Sequence, residues 1–355
     1  MIRNNINDVM ERTRLLYNSN KPGAIIQVMQ IKSLQNTGEK KLNEKKLNDW
    51  NFPEDLYEYL DVTIENFLES WAKRLEVDDD LIPAISPWFG IAEHTAFIGG
   101  EVEFSEQTSW HHQLIKNWDD VNKLELREDN EWLRMVIDGI AYLKKQSKGR
   151  YAVKLRGAEG AMDIANVIRG NELFTDFYLY PDELHNLLEF CNKAAEFTIS
   201  RQIKAAGYFE EGIITGFNIW LPGHSMGHLS EDASTMCSKE TYKDFGLKYT
   251  KELVENYDHA FMHTHALGKH NIPLIASIDK IDFIEISNDP NCQRAIEIYK
   301  ELIEYLSNKI VIVSLTLDEI KSNLDFLKKH KTIIWYSADN IEDAKEAVKL
   351  VRENL

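Results

Sequence analysis

From Arg150 onward the chain alternates short apolar runs with longer stretches of helical period. Segments 151–155, 212–220, 259–264, 282–287, 309–314 and 332–337 read as strands, each of a length suited to a buried parallel sheet. Between them, Pro181 opens a long helix to about residue 205, with Leu184, Leu187, Leu188, Cys191 and Ala195 on one face. Ser238 is a natural N-cap for a helix running to Glu255. Further helices are expected at about 292–307, 317–329 and 341–353. Before residue 150 the pattern is looser. Residues 1–20 read as a polar helix forming a surface arm, 24–31 as a strand, and 36–48 as a solvated Lys/Asn/Glu-rich segment. Pro53 precedes a helix carrying Leu56, Leu60, Ile64 and Phe67, and 81–90 is a strand running into a loop. Eight strands with intervening helices imply parallel strands joined by crossovers. The expected fold is an α/β class single (β/α)8 TIM-type barrel with an N-terminal helical extension, residues 1–75 forming a helical and extended arm packed on the barrel and 76–355 the barrel, one structural unit overall.

Composition narrows the function. With 355 residues, 43% of them apolar, the chain can bury a large core as one unit. A net charge of −17 argues against nucleic acid or an anionic membrane as the main partner. No apolar run approaches membrane length, and Met1-Ile-Arg-Asn-Asn5 lacks a hydrophobic signal core. Cys191, Cys237 and Cys292 lie far apart with no CxxC spacing, which fits a reducing, cytoplasmic setting.

The chemistry concentrates where catalytic groups of a barrel belong, at the C-terminal ends of strands. Ala260-Phe-Met262 ends in His263-Thr-His265, and residues two apart on a strand share a face. The two imidazoles therefore point together, as a bidentate metal site or an acid/base pair requires. The preceding segment carries His224, His228, Glu231 and Asp232 after Trp220. Asp232 and His224 are candidate catalytic groups, His263 and His265 candidate metal ligands. Arg156, at a strand end, suits a substrate carboxylate or a salt bridge with Glu159 or another mouth carboxylate. Trp88 and Trp220 are candidate substrate walls. Asp289, in Ser287-Asn-Asp-Pro-Asn291, reads as a turn former that can reach the mouth.

Three stretches resemble the uroporphyrinogen decarboxylase superfamily, which includes the true decarboxylase and zinc-dependent methyltransferases acting with corrinoid proteins. Gly160-Ala-Met-Asp-Ile-Ala-Asn-Val-Ile-Arg-Gly170 is similar to its glycine-led loop and helix. Ser238-Lys-Glu-Thr-Tyr-Lys-Asp-Phe-Gly-Leu-Lys-Tyr249 resembles its Ser-Pro-Glu…Phe…Pro-Tyr helix, with Lys239 and Lys248 at the usual prolines. His263-Thr-His-Ala-Leu-Gly268 resembles the His-x-Cys-Gly zinc motif of the methyltransferases. The decarboxylase's N-terminal Arg-rich run does not occur, and His265 stands where the methyltransferases carry a cysteine. The resemblance implies a methyltransferase acting with a corrinoid protein on a small methylated substrate, with a divalent metal, zinc first, on His263 and His265. It also implies a homodimer as the common assembly. The alternatives are a metal-free decarboxylase of a porphyrinogen or small carboxylate, a metal-dependent hydrolase, and a non-catalytic ligand-binding barrel.

Overall fold

The computed structural model describes residues 3, 5–18, 21–35 and 45–355. Most of the Lys/Asn/Glu-rich segment, 36–44, lies outside the described residues. The strands in chain order are β1 (Gly23–Ile31), β2 (Ala84–Ile85), β3 (Ala152–Val153, continued by Ala158–Glu159), β4 (His228–Ser230), β5 (Ala260–His265), β6 (Ile281–Ser287), β7 (Ile310–Ser314) and β8 (Lys331–Ala338). β1 pairs with β8, and the parallel ladder continues through β7, β6, β5 and β4 to Ala158–Glu159. The other half of β3 pairs with β2. The result is the (β/α)8 barrel expected from the alternation.

Closure between β1 and β2 uses side chains. Asp80 Oδ2 accepts from Ile26 N at 2.9 Å, Asp79 Oδ2 from Val28 N at 2.8 Å, and Asp80 N donates to Ile26 O at 2.7 Å. Both carboxylates are fully buried and matched by arginines, Arg3 and Arg74 on Asp79, Arg12 and Arg352 on Asp80. Buried carboxylates persist when paired and hydrogen-bonded in this way.

Three departures from the sequence expectation follow from packing. The barrel begins at Gly23 rather than at residue 76, because β1 lies in the main sheet. The helix α1 (Ile6–Asn18) is not a surface arm: Val9 and Met10 are buried in one cluster with Ile82, Ala84, Ala152, Ile214 and Trp220, closing the barrel floor. Residues 212–220 are not one barrel strand. Gly212–Ile214 and Trp220–Pro222 form an antiparallel hairpin, whose turn is made with Asn218 at φ 61°, and the barrel strand is the later β4. The turn enters the lumen, where Phe217 stacks on Trp335 at 5.9 Å and contacts Phe261 at 5.4 Å. The helices α2 (Leu56–Ala72), α3 (Glu131–Ser147), α4 (Ala161–Arg169), α5 (Pro181–Ala206) and α6 (Ile341–Asn354) include the longest of the outer layer. Ser238 Oγ caps the helix after β4 by accepting from Thr241 N. No helix among the described residues is long and apolar enough to cross a membrane.

Candidate functional site

Phe261, His263 and His265 share the lumenal face of β5, as the strand period requires. Parallel register then decides their neighbours. Glu285 of β6 lies opposite His263, and Ser230 of β4 flanks it on the other side. His263 Nδ1 meets Glu285 Oε2 at 2.5 Å, and His265 Nδ1 meets Asp289 Oδ1 at 2.7 Å. Glu285 is nearly inaccessible and also accepts from Ser287 Oγ at 3.0 Å; the other oxygen of Asp289 accepts from Leu267 N at 2.8 Å. With each Nδ1–H donated to a carboxylate, the two Nε2 atoms turn toward each other at 3.1 Å.

Asp232, two residues past Ser230, completes the group. Its Oδ2 is 3.3 Å from His265 Nε2 and its Oδ1 is 4.0 Å from His263 Nε2, while Ser230 Oγ donates to Oδ1 at 2.8 Å. One donor atom from each of the three residues lies within 4.8 Å of the others. Two imidazole lone pairs aimed at one point repel in neutral form, so a positive charge there is favoured. Without another cation the charge is a proton. The Asp232 hydrogen bond raises His265 to about 9, burial opposes this, and Asp289 adds to it. Burial would raise Asp232, but the His265 hydrogen bond and His263 hold it below the ordinary carboxylate range. Two nitrogens and one carboxylate with a free approach are also the donor set of a three-ligand divalent metal centre.

Behind Asp232 stands a wall of acids. Asp163, on the first turn of α4, accepts from Asp232 N and Ala233 N, both at 2.7 Å. Burial, then Asp232, pushes Asp163 up to about 6. Burial, then Asp163, lifts Glu231 to about 7 and Glu159 well above its usual range. A cavity of about 300 Å3 opens over this wall, lined by His94, Glu159, Asp163, Asn166 and Asp232 among others. Burial, then Arg156, pulls His94 down to about 3, so its ring is neutral.

The sequence candidates separate into three groups. Asp232, His263 and His265 come together. Arg156 and Trp88 line a neighbouring cavity, with the guanidinium 4.6 Å from the indole centroid. The ion-pair partner of Arg156 is buried Glu93 rather than Glu159. Trp220 and His224 lie elsewhere. Trp220 is part of the barrel floor, stacked on Tyr17 at 5.9 Å with its indole N–H on Phe209 O. His224 is exposed at the start of β5, its N–H on Asp258 and its ring on Tyr257, whereas the histidine pair ends that strand. Sequence reasoning passed over Glu285, although an acid inside the apolar run Ile281-Asp-Phe-Ile-Glu-Ile286 was a signal for a buried, committed carboxylate. Phe217, which stacks on His263 at 5.0 Å, carried no such signal.

No curated protein matches the chain. Among solved structures, the apo form of the homocysteine methyltransferase MmuM from Escherichia coli aligns at 13% identity over 64% of this chain and 87% of that one, with a TM-score of 0.27. The metallated form aligns at 14% identity over 66% and 89%, with a TM-score of 0.24. Superpositions this loose carry no argument for this chain. The family model described as Uroporphyrinogen decarboxylase (URO-D) matches residues 84–313, from β2 into β7 and across the whole Asp232–His263–His265 group. The chain belongs to the uroporphyrinogen decarboxylase family.

Proposed function

We propose that this chain is a metal-dependent methyltransferase within its family, with Asp232, His263 and His265 holding one divalent ion, zinc by preference. The observation that carries the reading is the pair of Nε2 atoms at 3.1 Å, each ring oriented from behind by its own carboxylate. When bound, the metal supplies Lewis acidity toward a heteroatom of a small substrate. The chain's residues do the rest. Glu285 and Asp289 keep both rings in the ligating tautomer, and Ser230 holds Asp232 in place. Glu159 and Asp163, raised by burial, stand beside the same cavity as proton carriers for the leaving or accepting atom. The partner in methyl exchange is a corrinoid protein docking at the barrel mouth, in keeping with the zinc motif that His263 to Gly268 resembles.

Decarboxylation of a porphyrinogen is the weaker reading. A substrate with many carboxylates needs unmatched arginines, and Arg156 is neutralised by Glu93. Metal analysis of purified protein tests the proposal. Wild type is expected to hold one zinc per chain after dialysis, and the His263→Ala/His265→Ala double variant none. Equal metal content in the two proteins removes the reading.

A further inference from the structure

Strands β1 and β2 share no ladder among the described residues. Asp79 and Asp80, a few residues before β2, bridge the two by bonding the backbone of Ile26 and Val28 in the middle of β1. A second cavity, of about 430 Å3, lies between α2 and the β1, β2 and β3 region of the barrel. Phe67 and Trp71 of α2, Ile82 and Ile85 around β2, and Trp88 give it apolar walls. Lys154 and Arg156, two residues apart between the two halves of β3, line the lumenal side.

The cations around this space are not equally satisfied. Arg74 is 2.8 Å from Asp79, and Arg156 is paired with Glu93. Lys154 Nζ donates to the neutral Asn218 Oδ1 at 3.3 Å and makes no ion pair among the described residues. Burial, then Arg156, pulls its amine down to about 8, so it is still a cation at neutral pH. Lys154 is only partly buried, yet a cation crowded by apolar walls and a second cation without a counter-charge is still costly, and a ligand anion removes that cost. Ser86 Oγ, which accepts from Arg156 Nη1 at 3.4 Å, keeps its own hydrogen to donate.

We propose that this cavity binds a small organic carboxylate, the anion on Lys154 with Ser86 beside it and the apolar body against Phe67, Trp71 and Trp88. The carboxylate suits the place better than a phosphate, because one unmatched ammonium among aromatic walls compensates one negative charge and rewards an apolar body. None of Asp232, His263 and His265 lines this cavity, so the inference stands apart from the metal reading.

Calorimetric titration of the full chain tests it, with phenylacetate and hexanoate as probes. Phenylacetamide serves as the neutral control and inorganic phosphate as the anion without an apolar body. Both carboxylates are expected to bind saturably, and the amide and phosphate about 10-fold more weakly or worse, the scale of a lost charge-assisted hydrogen bond. Lys154→Met is expected to lose carboxylate affinity by a similar factor, and Lys154→Arg, which keeps the charge, to retain most of it. Should Lys154→Met not fold, the Arg variant and the amide control still decide the matter. The His263→Ala/His265→Ala variant is expected to bind phenylacetate like wild type, so loss of the metal reading leaves this one intact. Absence of saturable carboxylate binding, equal affinity for phenylacetate and its amide, or unchanged affinity in a folded Lys154→Met protein overturns the proposal.

Discussion

Replacing Glu285 by glutamine tests whether the carboxylates behind the histidines matter to the ion in front of them. The substitution keeps shape and keeps an oxygen for His263 Nδ1–H, now 2.5 Å from Glu285 Oε2, but removes the charge. A hydrogen bond to a charged partner contributes roughly 1.5–3 kcal/mol and one between neutral groups about 0.5–1.5 kcal/mol. The difference, about 1–1.5 kcal/mol, is close to a factor of 10 in a dissociation constant. Glu285→Ala goes further, leaving Nδ1–H of His263 without an acceptor in a buried setting and freeing the ring to turn, for which a loss nearer 100-fold is expected. The assay is zinc competition against a chromophoric chelator at one neutral pH. Asp282→Asn is the matched control: Asp282 holds His259 in a similar ion pair near the starts of the same two strands, away from Asp232. Wild-type zinc affinity in both Glu285 variants, or an equal loss in Asp282→Asn, refutes the assignment of Glu285 as a positioning residue.

Further expectations follow from the same geometry. In metal-free protein His265 is raised to about 9 from 6.5, so its proton must leave before Nε2 can ligate. Zinc binding at neutral pH should release close to one proton by calorimetry in buffers of different ionisation heat, and none well above pH 9. Because the folded value is the higher one, the stability from protonated His265 is complete below 6.5 and lost as pH rises through about 9. The melting temperature of metal-free protein should fall across that window, and a rise there contradicts the assignment. Asp80→Asn removes a buried charge matched by Arg12 and Arg352 and should cost about 3–5 kcal/mol in urea unfolding; a cost near zero would mean that the side-chain seam does not hold β1 to β2. Trp220→Ala should cost a similar 3–5 kcal/mol in stability while folded protein keeps its zinc. His224→Ala should change neither, and a loss of zinc in that variant would place the centre wrongly.

What could be read from the chain, and what could not, depends on how far each inference had to reach in space. The histidine pair needed only the strand period, and β5 supplies it within three residues. Asp232 needed one step more, the idea that the segment before β5 returns beside its end; Ser230 opposite His263 makes that step concrete. Glu285 needed the register of β6 against β5, which no local pattern contains, although an acid among isoleucines marked the place. The hairpin at 212–222 defeated local reading for a different reason. An apolar run buried in the lumen as a hairpin has the same composition as a barrel strand, and the turn that reverses it spans only residues 215–219, with Asn218 at positive φ. Taking that run for the strand made Trp220 a mouth residue and left His228 to Ser230 in a loop, and it moved His224 from one end of the barrel to the other. Arg156 shows the limit for charges. Its strand-end position was legible, but its partner Glu93 comes from 63 residues away, after β2, and that pairing turns a cation suited to a substrate carboxylate into half of a neutral buried pair. Lys154, two residues earlier on the same segment, has no such partner among the described residues, and so the charge that sequence reasoning sought on Arg156 is left to the lysine.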